Sequence, residues 1–501
     1  MNTNNEFIKK NSVFIISLIM SLLISFIALF FKKKFYEMSN ILFDKITTNF
    51  SWLYLMSMLI FVFFIFIIAF SKYGNIKLGK DDDKIEYSTF SWLAMLFCAG
   101  MGVGLVFWGV SEPLSHYIYP ASWIERASPE SAKFAIKSSF MHWGIHAWAC
   151  YAVIALPLAY MQFRKGKAGL ISSTLIPIYG EKSIGICLGK IVDILASFAT
   201  IAGIVTSLGL GVLQIGNGLE KLFRIPNTNV TQILIILIVT VIFVISAISG
   251  IGKGVKVLSN INICIAIMIM CVLFSVGPKI EILNNMVTGI GDYVSDFVHD
   301  SLVLSPYSNN SWTVGWKVFY WAWWIAWAPF SGTFIARISK GRTIREFVLG
   351  VVFAPTLAAI IWFSIFGTLG LHLIKIGVLD QNSVSNIMIT PEMGIFIVLS
   401  HYPFGDLISL VACILLLFFF ITSADSGTFV LASFSSNGDL DPPNSKKIIW
   451  GVIQAILAIG LLLVGGLKSL QIISIVAAFP FIFIMLLICI ALVKVLVEEK
   501  I

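Results

Sequence analysis

The chain has 501 residues, of which 58% are hydrophobic and 12% charged, with a formal net charge of +8. A water-soluble fold of this length would leave much of that apolar surface facing water, so the composition excludes an ordinary soluble protein and makes lipid the expected solvent. The basic excess is scattered over short loops, which argues against nucleic acid as a partner.

Apolar runs long enough to cross a bilayer recur from end to end, about twelve of them. They lie near residues 12–31, 51–70, 90–114, 136–163, 190–220, 229–249, 255–278, 312–339, 345–374, 404–436, 447–466 and 470–495. The first run leads into Lys32, Lys33 and Lys34 without a small-residue cleavage pattern, so it reads as a span and not as a signal peptide. The run KDDDK (80–84) reads as a solvated loop. The third span carries AGMGVG (99–104), and glycines in mid-span are tolerated only where the backbone is buried or lines a cavity. Glu112 is expected at the outer end of that span, and as an intramembrane carboxylate it is a functional candidate.

In HWGIHAWACY (142–151), Trp143, Trp148 and Tyr151 cover a little over a third of a helix circumference, at about 100° per residue. Rings spread over that arc form three walls of a box. His142 and His146 have the i, i+4 spacing of metal ligands, but no third ligand and no HExxH pattern accompany them. Basic loops follow every second span: Arg164, Lys165 and Lys167; Lys253 and Lys256; Arg337, Lys340, Arg342 and Arg345; Lys446 and Lys447. This positive-inside pattern places both termini in the cytoplasm, with Lys32–Lys34 as the exception. Residues 281–303 interleave apolar positions with Asp292, Asp296, His299 and Asp300, the pattern of an amphipathic helix at the outer interface.

FYWAWWIAW (319–327) places Tyr320, Trp323, Trp324 and Trp327 on one helical face. It leads into WAPFSG (327–332), which matches AGMGVG as a second expected break. Paired broken spans point to a transporter with inverted repeats and a site near the membrane midplane. An aromatic box suits quaternary ammonium, whose diffuse charge has no N–H to donate and is attracted by ring faces. In ITSADS (421–426), Thr422 and Ser423 offer neutral oxygens suited to a hard cation such as sodium, and hydrogen bonding back onto their own helix is the plainer reading. Asp425 is expected to hold local backbone N–H groups. The seven cysteines lie in or beside apolar stretches with no CxxC, as buried small hydrophobes do. A membrane enzyme would need a convergent polar set that these motifs lack, and a channel would not need an occluded aromatic site.

Three stretches, GMGVGLVFWGVSEP (100–113), HWGIHAWACY (142–151) and FYWAWWIAWAPFSGTFIARISKGRTIREF (319–347), closely resemble the betaine/choline/carnitine transporter family. The likeness runs from the third span to the last. It implies an all-α integral membrane protein with about twelve transmembrane helices. Its five-plus-five inverted-repeat core would span residues 90–280 and 312–496, joined by the interfacial segment 281–311. A two-helix extension (1–89) and a short tail (497–501) complete the chain. It implies a multi-pass location in the cell membrane and, by family habit, a homotrimer. The resemblance assigns the substrate box to Trp143, Trp148, Tyr151 and Trp324, with Gly102 and Gly104 of the glycine stretch beside it. Trp327 and Met101 would lie toward the inner exit, and Phe319 and Trp323 on the outer path. It implies a sodium site at Thr422 and Ser423, with backbone oxygens of Cys98, Met101 and Phe419, and no other cofactor.

A second sodium site in relatives matches at Thr200 and Phe330, but Ile204 stands where a second threonine is needed. Sodium-independent exchangers of the family carry an arginine in that region. No Lys or Arg occurs here between Lys190 and Lys221, which favours symport. Choline-selective relatives carry an acidic residue at the position of Gly104, so the glycine favours a zwitterion. Glycine betaine is the leading expectation, with carnitine or another betaine as the alternative.

Overall fold

The computed structural model describes residues 11–100, 102–249, 256–305, 307 and 310–499. In hydrocarbon every backbone N–H and C=O must find a partner within the protein, so apolar runs of this length become helices. Two long helices come first, α1 (Ser12–Phe30) and α2 (Lys32–Phe70). They are followed by α3 (Thr89–Gly100), α4 (Gly102–Ile118), α5 (Pro129–Trp143), α6 (Ile145–Ala159), α7 (Gly189–Phe223), α8 (Asn229–Ser249) and α9 (Lys256–Val276). The expected amphipathic segment resolves into α10 (Lys279–Ser295) and α11 (Phe297–Leu302). The second half comprises α12 (Phe319–Ile338), α13 (Ile344–Lys375), the short α14 (Gln381–Ile389) and α15 (Gly394–Leu399), α16 (Gly405–Phe434) and α17 (Asn444–Val497). The only extended pairing among the described residues is an isolated bridge between Lys77 and Thr343.

Among the described residues nine helical stretches are long and apolar enough to cross a membrane, α5 and α6 counting together as Pro129–Arg164, or up to eleven if each sharply bent pair counts as one span. Three features separate these nine from the twelve spans read in sequence, the first being that the third expected span is bent in its middle. The last two expected spans form one helix, α17, kinked at Gly465 and Gly466. Gly466 has φ 53° and ψ −134°, a conformation that side-chain-bearing residues rarely adopt. The aromatic helix α12 is not among the nine by hydropathy, although nearly every residue in it is buried.

The two expected helix breaks have different outcomes. The first is present: Thr89–Cys98 and Gly102–Ile118 are bent by 65° relative to each other. The second is absent, because α12 runs unbroken through Pro329 and Gly332. The helix is buried around Pro329, and the small residue Gly332 serves close packing instead. A methyl group added at Gly332 would lie 2.5 Å from Ile154 Cγ2 on α6. A break that spacing did not indicate lies at Gly144 (φ −95°, ψ −135°), between α5 and α6. Trp143 therefore sits on a different helical segment from Trp148 and Tyr151, and the angular count across 142–151 does not apply.

Helix α12 lies against α6, α7 and α17, and α7 lies against α16 and α17. Helix α4 is held between α5 and α13, and the hairpin α1–α2 rests on α17. The aromatic stretches on α5, α6 and α12 thus face one another in the interior.

The charged loops are stitched together and not simply solvated. Residues 76–78 and 341–344 exchange backbone hydrogen bonds, Leu78 N to Arg342 O at 2.8 Å and Ile344 N to Ile76 O at 2.9 Å. In the KDDDK loop, Asp81 pairs with Arg164 at 2.9 Å and Asp83 with Lys340 at 3.6 Å. Arg342 is buried, its guanidinium 3.9 Å from the Trp92 ring centre and bonded to Glu346 and the Tyr87 carbonyl. Arg345 Nε donates to the Ala69 carbonyl at 3.1 Å, satisfying one of the last carbonyls of α2. Lys253 lies outside the described residues.

Candidate functional site

The glycine stretch of the third span is a seat for aromatic rings. A methyl group added at Gly100 would lie 2.5 Å from Trp148 Cη2, and one at Gly102 would lie 3.0 Å from Phe419 Cβ. One at Gly104 would lie 2.7 Å from Trp143 Cη2 and 2.8 Å from Trp323 Cη2. Rings from α5, α6, α12 and α16 therefore reach the same short segment, which only glycine allows at such approach.

The structure brings the four expected box rings together. Trp143 and Trp324 meet edge to face with centroids 5.0 Å apart, Trp148 and Tyr151 at 5.5 Å, and Tyr151 and Trp324 at 6.2 Å. All four are buried. The polar handles of Tyr151 and Trp324 fix those two rings, using carbonyls beside the two helix breaks. Tyr151 donates its hydroxyl to the Gly100 carbonyl at 3.2 Å, and Trp324 Nε1 donates to the His142 carbonyl at 2.8 Å. Trp148 Nε1 has no protein partner.

The expected pathway residues extend the ring system along α12. Trp323 stacks on Trp324 at 5.0 Å and Phe319 on Trp323 at 5.5 Å. Trp327 contacts Phe330 edge to face at 5.3 Å, on the Arg337 side of the box. Met101 lies outside the described residues, so the expectations placed on it, for substrate and for cation, have no structural description.

Glu112 departs from its expected place at the outer end of the span. It does not sit at an exposed helix end; α4 continues past it to Ile118, and its side chain is wholly buried. Its carboxylate accepts hydrogen bonds from Trp143 Nε1 at 2.8 Å and from the Tyr320 hydroxyl at 2.5 Å. His142 Nδ1 and His116 Nε2 face its other oxygen at 2.7 and 3.3 Å. The signal was available: an intramembrane carboxylate one helical turn from a histidine, with a second histidine beside a box tryptophan. Spacing alone did not show that the three would converge from two helices.

The pair His142 and His146 does not converge. His146 turns away, with Nε2 2.8 Å from Ser301 Oγ and its ring stacked on Phe297 and Trp321. Glu112, His116 and His142 instead place one potential ligand atom each within 4.8 Å of one another. Those atoms already face each other in hydrogen bonds.

The expected cation ligands also come into range of one another. Ser423 Oγ lies 3.4 Å from the Cys98 carbonyl across the α3–α16 contact. Thr422 Oγ1 bonds back to its own helix, to the Phe418 and Phe419 carbonyls at 2.9 and 3.0 Å, as the plainer reading of that residue has it. At the second expected site Thr200 Oγ1 is buried without a protein partner, and Phe330 is buried on α12. Ile204 packs against Gly427, 2.2 Å from where a methyl group there would lie, so aliphatic carbon fills the space beside that helix. Asp425 is hydrogen-bonded by Ser246 of α8.

Comparison with known proteins gives a consistent picture. The sequence pattern of the betaine/carnitine/choline family of transporters matches residues 12–501. The chain is 48% identical to the glycine betaine transporter OpuD of Bacillus subtilis (strain 168), over 91% of this chain and 88% of that protein. It is 44% identical to a probable glycine betaine transporter of Desulfitobacterium hafniense (strain Y51), over 97% and 98% of the two chains. An ectoine/hydroxyectoine transporter of Virgibacillus pantothenticus is 39% identical over 96% of each chain.

Proposed function

Since the chain belongs to the betaine/carnitine/choline family of transporters, we propose that it takes up glycine betaine together with sodium by alternating access. It is a multi-span transporter and not an enzyme. The observation that carries the choice of substrate is the buried convergence of Trp143, Trp148, Tyr151 and Trp324 from three helices. A trimethylammonium head accepts no hydrogen bond and donates none, and each ring face attracts it by about 0.5–2 kcal/mol. Gly104 leaves no acidic side chain in the box wall, in keeping with a substrate that carries its own carboxylate.

Voltage alone cannot concentrate a zwitterion, whereas a co-transported cation draws about 2.3 kcal/mol per charge per 100 mV. The oxygen cluster at Cys98, Phe419, Thr422 and Ser423 supports sodium as that cation. The missing oxygen at Ile204 favours a single sodium. The loops bearing Arg164, Arg337 and Lys446 are read as cytoplasmic, and the core as an inverted repeat assembled into trimers.

The test is uptake of radiolabelled glycine betaine by the full chain in proteoliposomes, with and without an inward sodium gradient. Uptake is expected only with the gradient, and Trp324→Leu is expected to raise KM roughly 2- to 30-fold, the worth of one ring. Equal uptake without sodium discards the coupling. A second substrate reading, ectoine, is favoured by the similarity to the ectoine/hydroxyectoine transporter. Ectoine is a zwitterion whose delocalised cation would also lie on ring faces. Competition by unlabelled ectoine against betaine separates the two.

A further inference from the structure

We propose that Glu112 is a positioning and specificity-determining residue of the quaternary-ammonium box, acting on the substrate through the Trp143 indole. The inference rests on the substrate reading above and deepens it. The carboxylate is wholly buried, and every group facing it is a donor or can be one. Trp312 Nε1 donates to His116 Nδ1 at 3.2 Å, so that nitrogen carries no proton and the neutral ring bears its proton on Nε2, toward Glu112. One oxygen thus faces the two histidines while the other accepts from Trp143 and Tyr320. Trp143 Nε1 and His116 Nε2 are committed donors, and His142 Nδ1 and the Tyr320 hydroxyl can donate as well, an arrangement that suits an anionic carboxylate.

This anion touches both halves of the box. Trp143 is itself a box wall, and Tyr320 stacks on Trp324 with centroids 5.8 Å apart. Helices α4, α5 and α12 are tied at a single point, which fixes the direction in which the two indole faces look. The hydrogen bond also has an electronic effect. An N–H bound to an anion pushes electron density into the indole, deepening the negative ring face that attracts a cation. The charge stands behind the ring, out of hydrogen-bonding reach of the substrate, so it favours the methylated end and repels the substrate's own carboxylate. A zwitterion is thereby held with its ammonium toward Trp143 and its carboxylate turned away.

The experiment is equilibrium binding of tritiated glycine betaine to the full-length protein in nanodiscs. Three variants are compared with the unmodified protein: Glu112→Gln, Trp143 replaced by 3-benzothienylalanine, which keeps the ring and exchanges its N–H for sulfur, and the two combined. Each single change is expected to weaken binding about tenfold. The combination is expected to be no weaker than the weaker-binding single variant, because both act on the same contact: glutamine keeps an acceptor for the indole but removes the charge, and sulfur removes the N–H through which that charge acts. Losses that multiply in the combined variant overturn the inference, since a merely structural carboxylate would act independently of the indole N–H. An unchanged Kd in either single variant also overturns it. If Glu112→Gln is not recovered folded, the sulfur replacement decides alone: unchanged affinity refutes the link. An unmodified protein that binds no betaine refutes the substrate reading and this inference with it, whereas betaine binding insensitive to the variants refutes only the inference.

Discussion

At the scale of single residues, the site depends on where rings are allowed to approach. Gly104 is the point at which Trp143 and Trp323 close on the broken third span, with room for hydrogen and not for a methyl group. Gly104→Ala forces one or both indoles to move, and overpacking of this kind costs about 1–3 kcal/mol. If the rings form the proposed substrate box, that strain is expected to raise the betaine KM by roughly tenfold while the protein still folds. Uptake kinetics alongside thermal unfolding of the variant checks this; an unchanged KM would show that the rings yield without loss of the box. The aromatic face of α12 was legible in sequence, because spacing on a helix face needs only the helical period, whereas the grouping of Trp143 with Trp148 and Tyr151 rested on the family resemblance, since Gly144 interrupts the period there. What fixes each ring was not legible. Tyr151 and Trp324 find carbonyls exposed by helix breaks, and Trp143 finds Glu112 from another helix.

At the scale of elements, small residues and basic loops play roles that sequence context leaves ambiguous. Glycine and proline in mid-span read equally as a break or as a close contact. The structure assigns the first role to the 98–102 segment and the second to Gly332. The loop RISKGRTIR (337–345) reads as a solvated topology signal, yet Arg342 is a buried strut between Trp92, Tyr87 and Glu346. Its planar guanidinium both stacks and donates, which an ammonium group cannot do in the same place. Arg342→Lys is therefore expected to lower stability by roughly 1–3 kcal/mol despite keeping the charge. Differential scanning of the variant in detergent would reveal this, and a wild-type midpoint would return the loop to the role of a topology signal.

At the scale of the whole molecule, one ion-pair network joins distant parts of the chain on the face carrying the basic loops. Glu499 pairs with Arg164 at 2.6 Å and Lys165 at 2.7 Å and accepts from the Tyr160 hydroxyl at 2.6 Å. Arg164 also reaches Asp81 and the Gly79 carbonyl. Burial pushes the Glu499 carboxyl up, but hydrogen bonds from Lys165, Tyr160 and Arg164 outweigh it and hold the group at about 2. A depressed carboxyl adds stability above its unfolded value, about 4.3, and loses it as the pH falls through the folded value. The stability difference between wild type and Glu499→Gln is thus expected to be constant above about pH 5, on the order of 1 kcal/mol, and to shrink toward zero near pH 2. Unfolding midpoints of both proteins across that range test it, and a difference that grows on acidification contradicts the network.

Composition and period alone determined that this is an all-helical, multi-span membrane protein with aromatic clusters on its helices, whereas the expected ligand and cation roles came from the family resemblance. The former conclusions follow from local rules: the length of an apolar run against the bilayer, and the helical repeat that aligns Tyr320, Trp323, Trp324 and Trp327. Only the tertiary structure decided which breaks are real, where Glu112 lies, and that the acidic and basic loops hold one another. Each of these depends on partners far apart in sequence, such as Glu112 with Tyr320 or Glu499 with Arg164. A buried polar group takes whichever partner the packing of several helices delivers to it, and no short-range pattern encodes that choice.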